Sequence, residues 1–345
     1  MKKIITLIFF PIFAFTQVIS INEENNNLKY ANFIDVEDLK THIYTLASDS
    51  MQGRETGTVG QEMAAMYIAD HFKKIGIPPY KRKTYYQEFT VKSKRHNCKC
   101  STCDSKSLGK RKNSSQIQGE NVLGFIEGTD LKKEIIIITA HYDHLGTHDG
   151  EVFNGADDDA SGTGAALEIA QAFMEAKKNG FGPRRSILIM AVSGEEKGLL
   201  GSKYYTDNPI YPLKNTITNL NIDMIGRVDD IYDNPDYVYL IGSDRLSTDL
   251  HEISEEVNRK SYNLKLDYTF NSEDDPNRYY YRSDHYNFAK NDIPVIFYFN
   301  GLHEDYHQPT DTADKINYEK VEKIARLIFL TAWELANRDE RPKLN

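Results

Sequence analysis

The chain has 345 residues, 40% of them hydrophobic and 11% aromatic, enough to bury one large core. Its net charge of -9 is spread along the sequence, and the one basic stretch is a short lysine-rich segment, which argues against nucleic acid as a partner. The expectation that remains is an acidic, soluble, globular enzyme.

Lys2 and Lys3 precede an apolar run over 4–15, shorter than the ~20 residues a membrane span requires. We read residues 1–20 as a secretory signal, with the alternative that the segment is kept as an anchor. The remainder, 21–345, is expected to form the catalytic unit and to be exported, hence secreted or periplasmic. Apolar positions at helical spacing predict helices over 36–48 and 59–75, the second stopping at Gly76 and Pro78. A strand is expected over 85–91. Cys98, Cys100 and Cys103 then fall in one basic stretch with His96. Their spacing lacks two separated Cys-x-x-Cys units, so the reading is a surface insertion at about 92–118 with one disulfide and one leftover thiol, a metal-binding knuckle being the alternative.

From 121 onward strands and helices alternate. Strands are expected over 121–127, 134–140, 186–192, 218–224, 237–242 and 293–299, and helices over 161–176, 197–205, 247–260 and 318–337. This predicts an α/β single domain: a mostly parallel mixed sheet flanked by helices on both faces. No repeat or proline-rich linker marks a second domain.

Polar residues follow the ends of these apolar runs. His141 comes directly after one strand, Ser193-Gly-Glu195-Glu196 after another, and Asp223 near the end of a third. Asn154-Gly-Ala-Asp157-Asp158-Asp159-Ala-Ser-Gly leads into a helix, and His307 lies in the loop after 293–299. Open α/β sheets bind ligands at the carboxyl ends of their strands. Crowded carboxylates resist ionisation unless a cation neutralises them. Imidazole and carboxylate donors without thiolate make zinc the first choice, with cobalt or manganese as substitutes. His141, Asp158, Glu196, Asp223 and His307 are thus the candidate ligands. Glu195, beside one of them, is the candidate proton carrier.

These motifs resemble the co-catalytic dizinc aminopeptidases, a family that includes bacterial leucyl aminopeptidases and, more distantly, glutamate carboxypeptidase, glutaminyl cyclase and the transferrin receptor ectodomain. The motifs carrying the likeness are His141-Tyr-Asp143-His-Leu-Gly, the Asp157–Asp159 loop, Ser193-Gly-Glu195-Glu196-Lys-Gly-Leu-Leu-Gly-Ser, Asn221-Ile-Asp223-Met, Ser283-Asp-His285 and Tyr306-His307-Gln-Pro-Thr-Asp. The resemblance covers roughly residues 36–337. It implies the zinc-exopeptidase, phosphorylase/hydrolase-like fold and two Zn2+ ions. Asp158 would bridge them, His141 and Asp223 would complete one ion's ligands, and Glu196 and His307 the other's. It further implies that the Asp143 carboxylate fixes the His141 tautomer, that Glu195 is the general base, that Tyr280 donates to the oxyanion, with Tyr279 and Tyr281 leaving that register open by one, and that the peptide after Asp158 is cis. Ser283, Asp284 and His285 would line the cleft; adjacency in sequence does not make them a triad.

The activity expected from the resemblance is removal of N-terminal residues from peptides with a free amine. The alternatives are a glutaminyl cyclase, a dipeptidase or carboxypeptidase, and a binding ectodomain without catalysis. The Asp157–Asp159 run argues against the first, the short insertion against the carboxypeptidases, and the full set of candidate ligands against the last.

Overall fold

A computed structural model describes residues 26–80, 83–92 and 116–345. The signal segment and Cys98, Cys100 and Cys103 lie outside the described residues. Helix α1 spans Val36–Leu46, opened by Asp35, whose carboxylate accepts from the main-chain nitrogens of Glu37 and Asp38. Helix α2, Val59–Ile75, ends at Gly76, whose φ of 91° lets its N–H turn back to the last carbonyls. The strands are β1 Tyr86–Lys92, β2 Gln116–Ile126, β3 Ile135–His141, β4 Gly146–His148, β5 Glu151–Phe153, β6 Ser186–Val192, β7 Thr216–Ile222, β8 Tyr237–Ile241, β9 Lys265–Asp267 and β10 Val295–Phe299. The other helices are α3 Gly162–Lys178, α4 Leu200–Asp207, α5 Thr248–Lys260, α6 His285–Ala289 and α7 Tyr318–Asn337.

Eight strands form one sheet in the order β1-β2-β6-β3-β7-β10-β8-β9, and β4 and β5 make a separate hairpin. The centre is parallel: β3 pairs with β6 and β7, and β7 with β10. Antiparallel pairs β1/β2, β2/β6 and β8/β10 flank it. The α/β class and the mixed, mostly parallel sheet are as expected.

Strands β3 and β6 are buried along their whole length, as a sheet covered on both faces demands. Alternation sorts their side chains. Ile136, Ile138, Ile187 and Ile189 enter one core with Phe173 of α3 and Ile324 of α7, whereas Ile137, Leu188 and Met190 enter a second with Tyr205 of α4 and Phe288 of α6. Among the described residues no helix is long and apolar enough to cross a membrane.

The expected elements shift by a few residues. The helix expected over 197–205 starts later, at Leu200, because residues 195–199 form a turn in which Gly198 and Leu199 take positive φ. The hairpin β4/β5 and strand β9, three residues each, were not anticipated.

Candidate metal centre

The parallel strands end on one rim, and the loops that leave them converge there. His141 is the last residue of β3, Glu195 and Glu196 follow β6, Asp223 follows β7, and His307, at φ 57°, lies in the loop after β10. Asp158 stands where the chain turns into α3, and its peptide bond to Asp159 is cis, as the resemblance implied.

Asp158 is the centre of the arrangement. Its Oδ1 lies 3.1 Å from His141 Nε2, which is 3.5 Å from Asp223 Oδ1. Its Oδ2 lies 3.1 Å from His307 Nε2, which is 3.4 Å from Glu196 Oε2. His144, which was not singled out from the sequence, joins this second group, with Nδ1 2.9 Å from Glu196 Oε1 and 3.8 Å from Asp158 Oδ2. The donor atoms of His141, Asp158 and Asp223 lie within 4.8 Å of one another, and so do those of His144, Asp158 and Glu196.

These donors fit a cation. His144 Nδ1 and Nε2, Asp158 Oδ2 and Glu196 Oε1 are buried without a hydrogen bond despite their close approach. Polar atoms that converge in a protein interior without hydrogen bonds are costly and are the ordinary surroundings of a metal ion. Imidazole and carboxylate without thiolate suits zinc.

Electrostatics agree. Burial alone would lower His141, but the Asp223 charge and the contacts with Asp158 and Asp223 hold its pKa well above the ordinary value. The Glu195 carboxyl is pushed well up by burial, then by the charges of Asp223, Glu196 and Asp284 against the opposing pull of His141. A bound cation is the largest charge such a site can hold and would favour the ionised carboxylates.

The surrounding carboxylates brace the loops. Asp159 accepts from the main-chain nitrogens of His141 at 3.2 Å, Met224 at 3.1 Å and Gly162 at 2.9 Å, tying the ends of β3 and β7 to the start of α3. Asp311 accepts from the main-chain nitrogens of Asp157 and Asp158. Asp143 differs from expectation. The His141 Nδ1 contact at 3.0 Å goes to the Asp143 carbonyl, while the carboxylate stands 3.8 Å away and accepts from Thr56 Oγ1 at 2.8 Å and Glu195 N at 3.2 Å. Its side chain therefore holds the Glu195 turn, and its main chain fixes the His141 ring.

One pocket joins His141, Asp158, Glu195, Asp223 and His307, walled by Met224, Tyr279, Phe297, Phe299 and Leu302, with Arg282, Ser283 and Tyr306 around it. Tyr280 is absent from that lining. Its ring is covered by the Arg245 guanidinium, 3.9 Å from the centroid, because the tight turn Tyr279–Tyr281 sends consecutive side chains in different directions. Asp284 accepts from Ser202, and the buried His285 ring stacks on Phe297 at 4.7 Å, so neither converges with Ser283.

His144 and Asp311 lay inside motifs already picked out, one His three positions after His141 and one Asp four after His307. Arg54, buried behind the rim with its guanidinium on the carbonyls of Tyr142 and Gly155, gave no signal beyond its place in a polar segment.

Comparison with known proteins gives the family and the fold. A model of "Peptidase family M28" matches residues 121–332. The aminopeptidase YwaD of Bacillus subtilis is 26% identical over 232 residues, which are 65% of this chain and 46% of that protein, so the chain spans about half the relative's length. The LapA aminopeptidase of Legionella pneumophila superposes with a TM-score of 0.69 at 19% identity, over 99% of this chain and 81% of that one. BSAP, a zinc aminopeptidase from Bacillus subtilis, gives 0.65 at 17% identity, over 90% and 98%.

Proposed function

Because the chain belongs to peptidase family M28, we propose that it is an exported metallo-aminopeptidase, releasing N-terminal residues from peptides with two Zn2+ ions and Glu195 as general base. One observation carries this reading. The two oxygens of Asp158 face two separate groups of imidazole and carboxylate donors, and Glu195 opens on the pocket beside them. We assign His141 and Asp223 to one ion, Glu196 and His307 to the other, and Asp158 to both, with His144 against the second group. Zinc held by these residues would supply a more acidic bound water and a Lewis acid for the scissile carbonyl.

The chain's own groups do the rest. Glu195 takes the proton of the attacking water on its carboxylate and returns it to the leaving amine, a role worth about 10²–10⁴-fold. Its turn is held by the main-chain hydrogen bond to Asp143. The wall of Met224, Phe297 and Phe299 receives the first side chain of the peptide. Residues 1–20 serve as the export signal and 21–345 as the catalytic unit, with 92–118 an insertion on it. The partners are peptides with a free N-terminus; the product is secreted or periplasmic, without stable membrane association and without nucleic acid.

The test is a panel of free, N-acetylated and C-blocked dipeptides, run on the wild type and Glu195→Gln. The expected result is cleavage that requires a free amine, and a variant that keeps its zinc but loses turnover. Equal cleavage of acetylated substrates, or zinc loss in Glu195→Gln, overturns the assignment.

A further inference from the structure

His42 of α1, His71 of α2 and Glu168 of α3 meet where these three helices pack, and each side chain is buried. One nitrogen from each ring and one carboxylate oxygen lie within 4.8 Å of one another. His42 Nε2 is 3.2 Å from Glu168 Oε1, and the two imidazoles cross edge to face with centroids 4.6 Å apart. The cluster shares no residue with the catalytic pocket. We propose that His42, His71 and Glu168 form a second, structural metal site for a transition ion of the zinc type.

Two atoms of the cluster carry this beyond proximity. His71 Nε2 and Glu168 Oε2 are buried with no hydrogen-bond partner among the described residues. Glu168 is wholly buried, and a carboxylate so placed needs either its proton or a cation. A spare imidazole lone pair and a spare carboxylate oxygen beside a second imidazole make a two-His, one-carboxylate set, which zinc binds at about 2.0–2.2 Å per ligand.

The outer contact is of the kind metal-bound histidines use. His42 Nδ1 lies 2.8 Å from the Tyr67 hydroxyl, so Nδ1–H donating to Tyr67 leaves the Nε2 lone pair directed at Glu168 and His71. Protonation states are compatible. Burial lowers His42 to about 4 and His71 to about 3, so both rings are neutral at pH 7, and it raises Glu168 to about 8. Binding a divalent ion displaces the Glu168 proton to solvent, and the charge that burial disfavours is then neutralised by the ion. Three protein ligands leave one tetrahedral position for a solvent molecule. The depth of the site admits no peptide, so the ion pins three helices and does no chemistry.

The decisive experiment uses the full chain stripped with chelator and reloaded with Zn2+. The metal content is measured beside that of Glu168→Gln and His71→Phe. The expected result is one equivalent fewer in each variant, unchanged turnover, and a smaller rise in thermal midpoint on reloading. Equal zinc content in all three proteins overturns the proposal. Should the variants fail to fold, anomalous scattering across the zinc edge from wild-type crystals decides. A peak within bonding distance of His42 Nε2 and Glu168 supports the site, and no peak among the three side chains refutes it.

Discussion

Ser283 Oγ donates to Asp223 Oδ2 at 2.5 Å. The serine is itself held from behind: Asn221 Nδ2 donates to Ser283 Oγ at 2.8 Å, and Thr139 Oγ1 donates to Asn221 Oδ1 at 2.5 Å. A polar chain thus runs across the ends of β3 and β7 and fixes the oxygen of Asp223 that does not face His141. Hydrogen bonds that orient a ligand typically contribute about 10–100-fold to metal affinity. Ser283→Ala is therefore expected to weaken zinc binding by about that factor while leaving the fold intact, as read by competition with a chromophoric chelator. Unchanged affinity would remove Ser283 from the support of the site.

Arg54 organises the opposite side. It is fully buried, and its guanidinium donates to the carbonyls of Tyr142, Leu46, Asn154 and Gly155 at 2.5–2.9 Å. Burial lowers it to about 10, against the pull of Asp143, Asp158 and Asp311, so it remains charged at neutral pH. A lysine cannot span that fork of acceptors. Arg54→Lys is expected to cost ~3 kcal/mol or more, because it strands buried carbonyls as well as losing bonds. The urea midpoint measures this, and a shift equivalent to less than ~1 kcal/mol would contradict it.

Lys320 gives the pH dependence. Its side chain is buried in α7, with Nζ 3.5 Å from the centroid of the Tyr237 ring and without a hydrogen-bond partner among the described residues. Burial lowers it to about 7, opposed by Asp157, Asp229 and Asp236. The unfolded chain binds this proton up to about 10.4, so between pH 7 and 10 it holds more protons than the folded chain, and stability gains from rising pH across that window. Below pH 7 the buried charge costs ~1–4 kcal/mol, since each tenfold loss of proton affinity on folding is worth about 1.4 kcal/mol. Lys320→Met should be the more stable protein at pH 6, with the difference closing by pH 10. A difference independent of pH would show that the amine is not held out of water.

The parts of the fold legible in the sequence are those with one dominant force. The run Ile187–Val192 is wholly apolar between polar flanks, and the strand Ser186–Val192 came out with its predicted limits, while the order of polar residues after strands located the rim. Hidden features depend on direction in space. His144 is one of two histidines in a short motif, and only the turn after β3 brings its ring to Glu196. Asp143 has both a carbonyl and a carboxylate near His141, and sequence does not say which of them the ring meets. Arg54 is a cation among acceptors from three separate segments, a relation with no periodicity to betray it.

Tyr280 illustrates the same difficulty and motivates the last prediction. The oxyanion formed beside Asp158 needs a protonated donor at the pocket, and Tyr280 lies under Arg245 and outside the lining. Tyr306 lines it, stacked on His307 with centroids 3.9 Å apart at 24°. Arg282 Nη2 donates to the Tyr306 hydroxyl at 3.4 Å, which leaves that hydroxyl's own proton free to be given. Burial, then the charge of Asp158, raises the phenol above its ordinary value, so it carries its proton at neutral pH. Loss of one oxyanion donor costs about 10²–10³ in kcat. Tyr306→Phe, which retains the stacking, should fall by about that factor with KM little changed, whereas Tyr280→Phe should keep its kcat. Full activity in Tyr306→Phe together with a collapse in Tyr280→Phe would return the role to Tyr280 and require the Tyr279–Tyr281 turn to rearrange when substrate binds.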